Sequence, residues 1–316
     1  MKQSQPLRVE DADVASFCTS RCVNSALWFV NNKRVEERVL GYMAKYQEKY
    51  SVEIYGYVLT GNHGHLVAAF PNHNRGDFMR DLNARTAEGV RFYVTEFEGG
   101  HVFGRRYADQ SLLASEDIED KMLYCALQPV HHGLCQRISE YPGFNSFTDA
   151  VSGIVREYPV VDWAGYNKKR KYDPSIKVAD YTTYHKLTFS RPEQYKQMDQ
   201  KEYKELMLGK LEERRIKIIQ EKLDQGFQYP SDLSYLKETI PGTRPHKTKT
   251  SKRHDKRPRI FGKDPVKLDA KKTERYNLYF AYKQASKAYL AGNEHVEFPP
   301  YTYKPPRFMV GPPKAA

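Results

Sequence analysis

The sequence predicts an α+β fold: a ferredoxin-like antiparallel sheet with helices on one face, followed by a mainly helical, basic C-terminal extension. Three observations carry this reading. Residues 1–150 alternate strand and helix character in the order β-α-β-β-α-β-α, a split β-α-β pattern. Residues 151–316 lose that alternation and carry long charged helical stretches instead. Charge divides at the same place, with 16 Lys and Arg against 19 Asp and Glu up to residue 150 and 35 against 20 beyond it.

Val14 to Val23 reads as a short strand. Lys33 to Tyr50 reads as a helix, because Val35, Val39, Tyr42, Met43 and Tyr46 recur at spacings of three and four. Asn32 is its candidate N-cap, with Glu36 and Glu37 in the first turn, where the helix dipole favours them. Val52 to Leu59 is rich in β-branched and aromatic residues and reads as a strand. Thr60-Gly61-Asn62 is a turn signal, and His63 to Phe70 is the antiparallel return, closed by Pro71. Arg75 to Phe97 has helical spacing through Phe78, Leu82, Val90 and Val94, weakened by Gly89 and stopped by Gly99-Gly100. Val102 to Leu113 predicts another strand. Ser115-Glu116-Asp117 opens a helix carrying Met122, Leu123 and Tyr124, bounded by Pro129 and Gly133.

Beyond residue 150 the reading is coarser. Ser146 to Trp163 reads as irregular. Lys168, Lys169, Arg170 and Lys171 form a basic patch flanked by Tyr166 and Tyr172, which either stack on unpaired bases or pack locally. Pro192 to Gln225 predicts one or two charged helices with Leu206, Ile216, Ile218 and Leu223 as apolar positions. Residues 241–260 set eight Lys and Arg, among them Lys252, Arg253, Lys256 and Arg257, against Asp255 alone, and predict a flexible arm. Lys271 to Leu290 predicts a final helix, and the end is proline-rich. The expected organisation is therefore a domain over 1–150 and a basic, Tyr-rich extension over 151–316.

The chain of 316 residues carries a net charge of +12. An excess of basic groups confined to one half points to an anionic partner, nucleic acid above all, over a merely solvated tail. No apolar run reaches the length of a membrane span, and the N-terminus lacks the apolar core of a secretory signal. Cys18, Cys22, Cys125 and Cys135 include no C-x-x-C pair, which fits a reducing compartment better than a disulfide framework. The expected location is the prokaryotic cytoplasm, in association with the nucleoid.

The residues with most chemistry are His63 and His65. Side chains two apart on a strand share a face, so the two imidazoles can grip one metal ion. If the Tyr124 segment is helical, Gln128 lies one turn beyond Tyr124 on the same face. The amide oxygen of Gln128 can then supply a third, hard ligand. Two imidazoles and one oxygen suit Mn²⁺ or Mg²⁺. A metal so held would polarise a phosphodiester, and Tyr124 would attack phosphorus to give a phosphotyrosine. The sequence identifies no base for the phenol.

These residues lie in motifs that resemble a known family. Tyr57 to Val67, with Gly61-Asn62-His63-Gly64-His65 at its centre, resembles the signature strand pair of the IS200-like single-tyrosine (Y1) transposases, which are HUH nucleases. Tyr124 to Leu134, reading Y-C-A-L-Q-P-V-H-H-G-L, resembles the tyrosine helix of their REP-associated branch, Y-I-x-x-N-P-V-x-x-G-L. Phe17 to Arg21, Gly104-Arg105-Arg106-Tyr107 and Tyr141 to Phe147 resemble the first strand, the strand before the tyrosine helix and the closing segment. The similarity runs over residues 14–150. It implies a ferredoxin-like HUH domain in which His63, His65 and Gln128 bind the metal and Tyr124 is the nucleophile. It also implies cleavage and rejoining of single-stranded DNA beside hairpins through a 5′-phosphotyrosine, with Arg105 and Arg106 among the DNA contacts. Gln128 stands where the branch has Asn, and Gly64 stands where a hydrophobic residue separates the histidines. Two alternatives remain at this level: a non-cleaving binder of hairpin DNA or RNA, and a rolling-circle initiator or relaxase. A homodimer, with the tyrosine acting in cis or across subunits, is compatible with either.

Overall fold

The computed structural model describes Leu7, residues 9–245 and residues 259–306. In chain order the first half holds β1 (Ala15–Arg21), α1 (Lys33–Tyr50), β2 (Glu53–Leu59), β3 (His63–Ala69), α2 (Arg75–Tyr93), β4 (Ala108–Leu112), α3 (Ser115–Ala126), α4 (Gln128–His131) and α5 (Phe147–Ser152). The second half adds β5 (Arg156–Val161), α6 (Trp163–Arg170), β6 (Thr182–Leu187), α7 (Gln200–Asp224), α8 (Ser234–Glu238), β7 (Ile260–Phe261) and α9 (Pro265–Leu290). The main sheet has the order β2-β3-β1-β4-β7, and its first four strands are antiparallel neighbours in ferredoxin-like order.

The α+β class and the strand order are as expected, and two features differ. Helices cover both faces of the sheet. On one face α1 and α2 pack on Cys18, Ile54, Tyr57, Leu66 and Ala68. On the other, α3, α5 and α7 pack with Ala15, Val58, Val67 and Leu112. The reason is visible in β3, where neighbouring Leu66 and Val67 are both buried; a sheet apolar on both sides needs two covering layers. The sheet is also mixed, because β7 pairs with β4 in parallel, Ser111 to Ile260 and Leu112 to Phe261.

Local choices set the boundaries. The Asn32 side chain accepts from Val35 N at 3.1 Å, capping α1 as its sequence predicts. Its amide also donates to the Tyr93 carbonyl at 2.6 Å, which takes a terminal acceptor of α2 and helps end that helix at Tyr93, short of Phe97. Gly89 lies inside α2 because α1 crosses close by: a Cβ there would sit 2.9 Å from Arg38 Cδ. Only Ala108–Leu112 of the expected 102–113 strand is regular, and Phe103 makes an isolated bridge to Cys22.

The second half is more ordered than its sequence suggests. The segment 146–163, expected to be irregular, holds the whole of α5 and β5. Pro159 argues against a strand, yet β5 pairs on one side only, with β6, so the missing N–H costs no second partner. Val160 and Leu187 carry this pair into the α1–α2 core. α7 is one helix, and its buried stripe is Tyr203, Met207, Leu211 and Ile218. Of the apolar positions predicted there, Leu206, Ile216 and Leu223 are exposed. α9 starts at Pro265, capped by Asp264, which accepts from Val266 N at 2.8 Å. Most of the predicted 241–260 arm, with Lys252, Arg253, Lys256 and Arg257, lies outside the described residues.

Candidate active site

Strand alternation sends His63, His65 and Val67 to the face covered by α3, and Gly64, Leu66 and Ala68 to the face covered by α1 and α2. The two imidazole centroids are 4.6 Å apart and edge-on. The Tyr124 ring approaches His65 at 6.1 Å, and Phe17 of β1 joins them, stacked on His65 at 5.1 Å and edge-on to Tyr124 at 5.7 Å. The predicted nucleophile and the predicted ligand pair therefore meet on one side of the sheet, within one chain.

Hydrogen bonds orient both imidazoles. Thr19, which pairs with His65 across β1 and β3, places Oγ1 2.8 Å from His65 Nδ1. Thr60 Oγ1 lies 2.8 Å from His63 Nδ1 and Asn62 Oδ1 lies 2.6 Å from it. The Asn62 amide is fixed by its own donation from Nδ2 to the Ser25 carbonyl at 2.8 Å. The oxygen must then face His63, so Nδ1 carries the proton and Nε2 keeps the lone pair. Burial, reinforced by His65, His132 and Arg21, holds the His63 imidazole well below its ordinary pKa, against the opposing pull of a hydrogen bond to Gln128. A neutral ring is the form that binds a cation.

α3 carries Tyr124 on its sheet-facing side and is pinned there by Cys125, whose Sγ donates to the His65 carbonyl at 3.6 Å. Burial pushes the Cys125 thiol far up, so it stays protonated. The helix breaks at Leu127 because Pro129 has no N–H to give the Cys125 carbonyl, and α4 restarts at Gln128. Gln128 is buried, and its Nε2 donates to the Tyr124 carbonyl at 3.2 Å, which leaves Oε1 as the donor atom beside His63.

The donor set, two imidazoles and one amide oxygen, fits a hard or borderline divalent cation. Among the described residues no group of three or more His, Cys, Asp or Glu gathers to hold a metal, and Gln128 is the residue that would supply a third protein ligand. The other predicted contacts divide. Arg105 and Arg106 are exposed on the loop before β4, which the Cys22–Phe103 bridge ties to the sheet end holding His63. Lys168, Lys169 and Arg170 end α6 and Lys171 caps it, between β5 and β6, the pair that packs on α1 on the side of the sheet away from Tyr124. Tyr166 is buried against Trp163 and Tyr181, while Tyr172 is exposed.

Sequence reasoning missed several neighbours. Lys121, one turn before Tyr124, sets Nζ 5.3 Å from the Tyr124 ring centroid and 3.6 Å from that of Phe261 in β7. His132 faces His63 at 5.6 Å and His131 faces Tyr124 at 5.5 Å. The i−3 spacing of Lys121 was a usable signal; the contribution of Phe261, far along the chain, had none. No described helix is long and apolar enough to cross a membrane.

Comparison with known proteins adds three findings. Residues 25–120 match the profile of a family described as IS200-like transposases. Among solved structures, a REP-associated tyrosine transposase bound to a REP hairpin aligns with 16% identity and a TM-score of 0.39, covering 46% of this chain and 83% of that one. The search of curated proteins finds no match. On the profile match, the segment from residue 25 to residue 120 of this chain is similar to the IS200-like transposase family.

Proposed function

We propose that this protein cleaves and rejoins single-stranded DNA, at sites flanked by hairpins, through a covalent 5′-phosphotyrosine at Tyr124. The observation that carries the reading is the convergence of Tyr124 on the His63–His65 pair, with ring centroids 6.1 Å and 4.6 Å apart along that line. His63, His65 and Gln128 would hold Mn²⁺ or Mg²⁺, and the bound cation would draw charge from the scissile phosphate. Thr19, Thr60 and Asn62 orient the imidazoles, and Phe17 braces His65 against Tyr124. Lys121 adds positive charge beside the phenol, and Arg21 adds it beside His63. Arg105 and Arg106 reach phosphates at the same end of the sheet. The basic groups at 168–171 contact DNA away from Tyr124, and those at 252–257 are further DNA-binding groups.

Gly64, which stands where a hydrophobic residue separates the histidines, is the feature that keeps the non-cleaving binder open as an alternative. A Cβ at Gly64 would lie 2.9 Å from Tyr57 Oη and 3.3 Å from Cε2, so the Tyr57 ring already fills that space. The small residue thus comes with a compensating large one, and the imidazoles project the other way. This supports the cleavage reading.

The test is incubation of labelled single-stranded hairpin oligonucleotides with the full chain and Mn²⁺, followed by denaturing electrophoresis. A protein–DNA adduct is expected, lost in Tyr124→Phe with hairpin binding retained. Tight binding across a broad oligonucleotide library with no adduct would make the protein a binder instead.

A further inference from the structure

The cleavage reading leaves the phenol proton without a destination, and His131 stands beside Tyr124 with a ring nitrogen free to accept it. His131 ends α4, seven residues after Tyr124, and its ring lies 5.5 Å from the Tyr124 ring, tilted by 49°. Its Nε2 is buried and has no hydrogen-bond partner among the described residues. A buried imidazole nitrogen without a partner is costly to maintain, so such an atom calls for an explanation. The surroundings are built to hold it. His131 N donates to the Leu127 carbonyl at 2.8 Å. Tyr229 donates its hydroxyl to the Val130 carbonyl at 3.0 Å, and Phe227 packs against Gly133, whose φ of +71° ends the turn. Both aromatic residues come from the chain after α7.

We propose that His131 takes the proton of the Tyr124 phenol during cleavage and returns it during rejoining. This rests on the cleavage reading above. In cleavage the phenol O–H bond breaks, its proton passes to His131 Nε2, and the phenolate oxygen bonds to phosphorus. The phosphorus–O3′ bond breaks, and the 3′ oxygen leaves with the electron pair and takes a proton from solvent. In rejoining a 3′ hydroxyl gives its proton to solvent and attacks phosphorus, and the phenolate released recovers its proton from the His131 imidazolium. The charged groups that face His131 are Arg214, Lys222 and Glu221 of α7. Burial, then Arg214 and Lys222, lower its pKa, against Glu221, so the ring is neutral near pH 7 and able to accept. In the free protein Nε2 and the phenol are not yet hydrogen-bonded, a looseness common in catalytic pairs before substrate binds.

The test uses the full chain with Mn²⁺ and a hairpin oligonucleotide on which the wild type forms its adduct. Single-turnover adduct formation is followed from pH 5.5 to 9.5 for wild type, His131→Ala and His131→Asn, beside hairpin affinity and melting temperature. At neutral pH both variants should lose roughly 10²- to 10⁴-fold in rate while affinity and melting temperature hold. Their rates should climb with pH where the wild-type rate has levelled, and added imidazole should restore part of the His131→Ala rate. Variant rates within threefold of wild type overturn the proposal. So does a rate loss that parallels lost affinity, with the pH profile unchanged and no imidazole rescue. A wild type that forms no adduct on any oligonucleotide fails at an earlier and separate point, and takes this proposal with it.

Discussion

Substituting Gly64 tests how the histidine strand is packed. In Gly64→Ala the new Cβ would lie 2.9 Å from Tyr57 Oη, 3.3 Å from Cε2 and 3.4 Å from Cζ. Contacts that short require movement, and the ring has little room: Tyr57 is buried, and its backbone N donates to Ser146 Oγ at 2.7 Å. The strain should lower the unfolding free energy by about 1–3 kcal/mol, the usual cost of an overpacked core. The shortest contact is with the hydroxyl oxygen, so Tyr57→Phe should relieve most of it. Urea unfolding of Gly64→Ala, Tyr57→Phe and the double variant measures this directly. The double variant should be more stable than the sum of the single losses by about 1–2 kcal/mol, a coupling expected of side chains in contact. Mn²⁺ affinity should change little, because the added methyl faces α1 and α2 while His63 and His65 face α3. A neutral Gly64→Ala, or strictly additive losses, would show that Tyr57 does not occupy the space.

Three further outcomes follow from neighbouring features. Arg75 is buried and ion-paired to Glu10 at 3.7 Å and Asp109 at 3.5 Å; Arg75→Met strands two carboxylates and should cost about 3–5 kcal/mol in urea unfolding. Asn62→Ala removes the acceptor that fixes the His63 proton on Nδ1, and Mn²⁺ affinity, read as free Mn²⁺ by electron paramagnetic resonance, should fall about 10- to 100-fold. Burial raises the Glu88 carboxyl pKa, but hydrogen bonds from Arg85 and Arg38 outweigh it and hold the group below its ordinary 4.5. A lowered folded pKa gives stability that is complete above 4.5 and disappears as pH falls through the lower value. Wild type should therefore exceed Glu88→Gln in stability by a constant margin from pH 7 to about pH 5, and the margin should close in stronger acid.

The first half of the fold was legible because its signals are local. Lys33–Tyr50 has an Asn cap and a clean apolar stripe, and its helix spans those residues. The His63–His65 pair needed only strand alternation; helical spacing also brought Gln128 next to Tyr124, although the helix breaks between them at Leu127. What escaped depended on distant partners. Leu206, Ile216 and Leu223 look like core residues, but the side of α7 that meets α5 is set by Tyr203, Met207 and Leu211. Phe261 reaches Lys121 only because two residues join the sheet edge, a pairing too short to leave any periodicity. Asn62 reads as a turn residue in sequence; its grip on His63 depends on the Ser25 carbonyl.

The edge strand β7 has a bearing on the order of events during synthesis. Residues 260 and 261 pair with β4, Val9 bridges to Thr302, and Tyr303 donates to Glu10 across 293 positions. Residue 261 must leave the ribosome before Phe261 can settle on Lys121 beside the tyrosine. At about 5–20 residues per second, the interval between residue 150 and residue 261 lasts on the order of ten seconds. Through that time the nascent sheet carries an open β4 edge, and the wall beside Tyr124 is unfinished. Translation itself therefore acts as a timer, and the tyrosine's surroundings are complete only after residue 261 has emerged.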